Sequence, residues 1–224
     1  MTQSTEIPFF GNHDGMSCGQ CVYRMALSHF LPEQNFSTTD MDELCGAIPG
    51  KYTWPYLPVT KLSDMGLNVV TYDMFDTEQF IKSPNDYLHE FYGAEIAKDN
   101  IKNSDIKSVT TQAQRYLDYF KLNKLNTVKA YHTASILREL LDDGYLINLW
   151  VNSEKLNHQD GFSGHFILVH GYEGSNFIAH DPGGNDDNGD AVHQYPNRII
   201  SEDILYNACC IKADKTDTLI AIKR

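Results

Sequence analysis

Ser17-Cys18-Gly19-Gln20-Cys21-Val22-Tyr23-Arg24-Met25-Ala26-Leu27 sets a cysteine where a glycine-containing loop turns into an amphipathic helix. Behind it the apolar positions Val22, Met25, Ala26, Phe30 and Leu31 recur at helical spacing, and Pro32 ends the pattern. The first turn of a helix carries N–H groups without intrahelical partners and the positive end of the macrodipole, so it favours an anionic sulfur. With a cationic partner, a cysteine pKa falls from roughly 8.5 to about 3.5–7.5. Cys18 is therefore read as a nucleophile at the head of a core helix.

The cationic partner lies far downstream. Gly164-His165-Phe166-Ile167-Leu168-Val169-His170-Gly171-Tyr172 begins an apolar strand with a histidine, and Asn176-Phe177-Ile178-Ala179-His180-Asp181-Pro182-Gly183 ends the next strand with an aspartate. A hairpin over residues 165–181 brings the two ends together. Acyl transfer by a thiol needs a thiolate, an imidazole to shuttle the proton and a group that fixes the imidazole tautomer. Cys18, His165 and Asp181 fill those roles. Cys21 is the rival nucleophile, or else a small buried residue one turn into the helix. A redox role for the Cys18–Cys21 pair lacks the βαβ surroundings of a thioredoxin-like motif.

The chain has 224 residues, 42% of them hydrophobic, and a formal net charge of -12. That length suits one folded unit with a proper core. The acidic balance offers no footprint for nucleic-acid phosphates, and no apolar run approaches the 18 or so residues of a membrane span. Residues 1–10 show neither a basic n-region nor a long apolar h-region, so a cytoplasmic location is expected. Five cysteines, an odd number without regular spacing, imply at least one free thiol. Cys45, Cys209 and Cys210 are read as structural thiols. No zinc spacing of Cys and His recurs, so neither metal nor other cofactor is expected. The loop Asp181–Asp190 is rich in oxygens but lacks EF-hand spacing, and is read as an acidic turn rather than a calcium site.

Helices are expected around Thr39–Cys45, with Gly46 at its end, and over Leu57–Met65; a strand is expected over Leu67–Tyr72. From Thr77 to Leu125 the sequence is helical and polar, broken at Pro84-Asn85-Asp86, with residues 106–120 the clearest amphipathic stretch. A helix over Thr133–Asp143, closed by Gly144, feeds a strand over Tyr145–Val151. Strands at 165–172 and 175–180, a helix from Ser201 and a strand over Thr218–Ile222 complete the chain. Helices first and an antiparallel sheet afterwards make an α+β arrangement.

Cys18-Gly19-Gln20-Cys21 with Met25 and Leu27, Gly144 before the Leu146–Val151 strand, Gly164-His165-Phe166 with Val169 and Gly171-Tyr172, and His180-Asp181-Pro182-Gly183 resemble the papain-like cysteine peptidases. Within them the pattern is most similar to the branch of bacteriocin leader (double-glycine) peptidases. The likeness covers residues 12–31 and 132–184. The 147-residue separation of Cys18 and His165 lies within the roughly 130–150 of papain-type enzymes. The resemblance implies a single papain-like domain over 1–224, a helical half and an antiparallel sheet half with the cleft between them, and a helical insertion at about 77–125. It implies a thiol-dependent hydrolase acting on a peptide or protein substrate through a thioester. The alternatives are a peptide-binding module with weakened catalysis, or an amide transferase or deamidase using the same triad. One position departs from the pattern. The family commonly has Gln six residues before the nucleophile as oxyanion donor, and this chain has the shorter amide Asn12, with the Cys18 N–H completing the hole. Gln20, inside the helix start, is a less suitable donor.

Overall fold

The computed structural model describes residues 6–122, 124–185, 191–212 and 215–224. In chain order its first half runs α1 (Cys18–Phe30), α2 (Thr38–Cys45), α3 (Tyr56–Asp64), β1 (Asn68–Tyr72), α4 (Thr77–Lys82), α5 (Pro84–Tyr92), α6 (Ala94–Asn103) and α7 (Ile106–Lys121). Then come β2 (Asn126–Val128), α8 (Ala134–Asp142), β3 (Leu146–Asn152), α9 (Ser153–Leu156), β4 (Gly164–Glu173) and β5 (Asn176–Asp181). Short strands β6 (Gly184–Asn185) and β7 (Ala191–Val192) precede β8 (Tyr195–Ser201) and α10 (Glu202–Cys209); β9 (Cys210–Lys212), β10 (Lys215–Thr216) and β11 (Leu219–Lys223) end the chain.

Local chemistry sets several boundaries. Ser37 and Asp40 form a reciprocal capping box at α2, and Gly46 closes that helix in the left-handed region at φ 60°. A Cβ there would also press on the Leu57 side chain, so glycine is required on two counts. Pro84 opens α5 at the position where a missing N–H costs nothing.

The main sheet has seven strands in the order β2-β1-β11-β3-β4-β5-β8. Alternate residues of its central strands face two different cores. Leu146, Phe166, Leu168, Ile220 and Ile222 pack with Val22, Met25 and Leu27 of α1 and with the helices up to α7. Ile147, Leu149, Ile167, Val169, Leu219 and Ala221 pack with Leu137 and Leu140 of α8 and Leu205 and Ala208 of α10. Burial of both faces is why these strands are continuous apolar runs rather than alternating ones.

The α+β composition is therefore present, with two corrections to the expected arrangement. The sheet is not a separate half, because helices cover both of its faces. Nor is it wholly antiparallel: β2 runs parallel to β1, while the other pairings in this sheet are antiparallel. The helices α4–α7 are the crossover between those two parallel strands, and a connection of this kind needs such a length of chain. No helix among the described residues is long and apolar enough to cross a membrane.

Candidate active site

Helix α1 begins at Cys18 with an exposed positive end. Ser17 stands at its N-cap but does not cap it with its side chain; its hydroxyl donates to Asp14 Oδ2 at 2.6 Å instead. The first turn holds no acidic residue. The field and the N–H groups of the first turn are therefore left to the thiol.

The hairpin β4–β5 supplies the partners. His165 Nε2 donates to Asp181 Oδ1 at 2.8 Å, and both side chains are buried. With Nε2 so engaged, the other ring nitrogen is left for Cys18, whose thiol is electrostatically coupled to the imidazole. Asp181 Oδ1 also accepts the Gly183 N–H at 3.0 Å, and Oδ2 accepts from Arg198 Nη1 at 2.7 Å. Arg198, on β8, is anchored in turn by donating Nη2 to Leu156 O at 2.8 Å and to Asn157 Oδ1 at 2.9 Å.

The electrostatics of the three groups agree in direction. Burial alone raises the Cys18 thiol, but the hydrogen bond and charge of His165, with the N–H groups of Phe166 and Gly19, hold it below its ordinary value. Burial alone lowers His165; the hydrogen bonds and charges of Asp181 and Cys18 reverse this and raise it. Asp181 is buried, which raises it, yet His165, the Gly183 N–H and Arg198 keep it below the usual carboxylate range. These directions favour the charged form of each group: thiolate, imidazolium and carboxylate. Cys21 differs, since burial pushes it up to about 12, with the charges of Cys18 and Asp14 adding. Its thiol donates to Gly11 O at 3.5 Å. Burial also raises Cys45 far above the ordinary thiol range.

Cys18, His165 and Asp181 line one cleft of about 800 Å³. The expected oxyanion donor does not join them. Asn12 is 1% exposed, and the cleft wall beside the thiol is made by Gly15, Met16 and Gly19. The Asn12 Nδ2 donates to Gly183 O at 3.0 Å, and its Oδ1 accepts the Ser17 N–H at 3.2 Å. The shorter side chain thus ties the start of α1 to the turn after Asp181, a correction to its sequence reading. Gln20 is turned away too, its Oε1 accepting from Thr53 Oγ1 at 3.2 Å. Of the loop read as an acidic turn, residues 186–190 lie outside the described residues.

Sequence reasoning missed Arg198, which holds Asp181, and the carboxylates Asp73 and Asp217, which line the same cleft. Each reaches its place through sheet neighbours distant in sequence, so no local signal marks it.

Cys18 at a helix N-terminus shares one cleft with the buried His165–Asp181 pair, and thiol acyl transfer draws on groups of these kinds. The chain belongs to the Peptidase_C39 like family, whose model matches residues 4–207. Membership points to cysteine peptidase-type activity on protein or peptide substrates. No curated protein matches the chain.

Proposed function

We propose that this chain is a thiol-dependent hydrolase, a single papain-like domain in which residues 77–125 elaborate the helical layer. Cys18 Sγ attacks a peptide or amide carbonyl carbon, and the oxyanion forms against the N–H groups at the head of α1, Cys18 included. The imidazolium of His165 passes its proton to the leaving amine nitrogen as the C–N bond breaks, leaving an acyl thioester on Cys18. Water then gives a proton to His165 and its oxygen to the acyl carbon, so the acid departs and the thiolate–imidazolium pair is restored. Asp181 keeps the ring oriented and favours its charged form; Arg198 fixes Asp181.

The observation that carries this reading is the His165–Asp181 hydrogen bond in the same cleft as Cys18, whose thiol the imidazole holds low. A peptidyl epoxysuccinate, followed by peptide mass mapping, tests it. Modification confined to Cys18 and lost in Cys18→Ala is expected; labelling spread over the five cysteines would overturn it.

The placement of Asn12 favours a second reading, a peptide-binding module in which catalysis is weakened for want of a side-chain oxyanion donor. An amide transferase or deamidase would use the same row of residues. Product masses separate these: cleavage adds one water across a peptide bond, deamidation exchanges an amide for an acid, and a binding module yields no product.

A further inference from the structure

We propose that the cleft contains a subsite for a cationic side chain, lysine or arginine, of the peptide whose bond meets Cys18; this rests on the hydrolase reading and names its substrate class. The subsite is the wall formed by Asp73 and Asp217 with the rings of Trp54, Tyr56, Phe75 and Tyr92.

Both carboxylates come to the cleft just beyond the paired ends of β1 and β11. Val151 is paired with His165, and Trp150 N donates to Thr218 O at 3.3 Å, which carries the β3–β11 register to Asp217 beside Val151. Asp217 is thus two strands from His165, about 10 Å along the hydrogen-bonding direction. Tyr72 pairs with Leu219, so Asp73 falls beside Thr218. At about 3.3 Å per extended residue, a peptide whose bond meets Cys18 is expected to reach this wall with a side chain one to three residues away.

Asp217 is 4% exposed, and its oxygens differ in what they hold. Oδ1 accepts the Thr218 N–H at 2.8 Å, the Thr218 hydroxyl at 3.2 Å and the Tyr92 hydroxyl at 3.4 Å. Oδ2 has no hydrogen-bond partner among the described residues. A buried carboxylate oxygen without a donor is costly, and Asp217 is among the residues that line the cleft. Asp73 Oδ1 accepts the Phe75 N–H at 2.7 Å. The nearby Lys129 is exposed and donates its Nζ to Phe75 O at 2.7 Å, so it neutralises the pair in part only.

Burial raises Asp73 to about 6, and it raises Asp217 to about 7 with the Asp73 charge adding. Mutual repulsion between the two carboxylates is what an ammonium or guanidinium group relieves. The aromatic rings add cation–π attraction and cover the aliphatic stem of such a side chain. The net charge of -12 draws basic peptides toward the protein as a whole.

The test is a pair of probe sets that alkylate Cys18 from either side of the scissile position, run at pH 8. Peptidyl acyloxymethyl ketones carry lysine, or its uncharged isostere norleucine, one, two or three residues before the reactive carbon. Nα-chloroacetyl peptides carry the same residues after it. Cys18 modification is followed by mass, with iodoacetamide as the side-chain-free reference. At one position the lysine probe is expected to react at least tenfold faster than the norleucine probe. Asp217→Asn and Asp73→Asn each preserve the Oδ1 acceptor and are expected to reduce that ratio toward one. Equal rates for lysine and norleucine at every position in the wild type overturn the subsite, as does a preference that survives both substitutions. Slow iodoacetamide labelling of Cys18 would instead count against the hydrolase reading, and a lysine preference measured on that slow thiol would still support the subsite.

Discussion

Arg198 holds the oxygen of Asp181 that His165 leaves: Nη1 donates to Oδ2 at 2.7 Å while His165 donates to Oδ1 at 2.8 Å. The aspartate is therefore gripped from both sides, by a titratable imidazole and by a guanidinium whose charge is permanent. Arg198→Ala is expected to lower stability by about 1.5–3 kcal/mol, the range for a hydrogen bond to a charged group. Urea unfolding measures this. A positioning role further requires that Arg198→Ala alter the pH profile of Cys18 labelling and that Arg198→Lys restore it in part. A merely structural role would leave the profile in place.

Asp181→Asn removes the charge that holds His165 protonated while keeping the shape of the side chain. The thiolate fraction at Cys18 is expected to fall, and alkylation at pH 6 to slow by roughly 10- to 100-fold, the rate equivalent of about 1.5–3 kcal/mol for a charge-assisted hydrogen bond. Stopped alkylation with mass mapping reads the change; an unaltered rate would remove Asp181 from the account.

Gly183 has φ 69°, and a Cβ there would collide with the Val192 carbonyl oxygen. Gly183→Ala is expected to cost about 2–4 kcal/mol, combining left-handed strain with overpacking. Since the Gly183 N–H and O hold Asp181 and Asn12, Cys18 labelling should slow as well. Thermal melts together with alkylation rates check both expectations.

The raised carboxyls and the raised imidazole all cost stability as pH rises, whereas the lowered carboxyl of Asp181 costs it as pH falls. Asp217 and Asp73 bind protons more tightly when folded than at their ordinary value of 3.8, so they cost stability as pH rises from about 4 through 6 and 7, and the cost is constant above. His165 is raised above 6.5, so its contribution is complete below that pH and is lost as pH rises through its folded value. Asp181 is lowered below 3.8, and its contribution disappears as pH falls through its folded value. Melting temperature compared between wild type and Asp217→Asn isolates one of these. The variant is expected to gain on the wild type between pH 4 and pH 8; a constant difference would contradict a raised Asp217.

What the sequence disclosed follows from where each residue sits. Cys18, His165 and Asp181 each stand at an element boundary with a local pattern behind it, and the hairpin joining β4 and β5 makes the meeting of the last two a short-range event. The α1 and α8 boundaries were legible from Pro32, Thr133 and Gly144 for the same reason. The parallel pairing of β1 and β2 was not, because β2 has three residues and its partner lies beyond four helices. Strand β8 was missed: Tyr195, Pro196, Asn197 and Ile199 are exposed on a strand at the sheet edge, so no apolar run marks it. Spacing located Asn12 correctly relative to Cys18, but spacing carries no information on orientation, and the Gly183 carbonyl decides that. Asp73 and Asp217 come to one cleft only because β1 and β11, far apart in sequence, are paired in the sheet.

The central claim is that Cys18 is a thiolate held by the His165 imidazolium. Its most direct test is the rate of iodoacetamide labelling at each cysteine against pH, in wild type and in His165→Ala. The account predicts fast, selective labelling of Cys18 at about pH 6 that vanishes in the variant, where burial alone governs the thiol and labelling rises only above the ordinary thiol range near pH 8.5. Labelling of Cys18 that is slow at pH 6 in the wild type, or that is the same with and without His165, would contradict it.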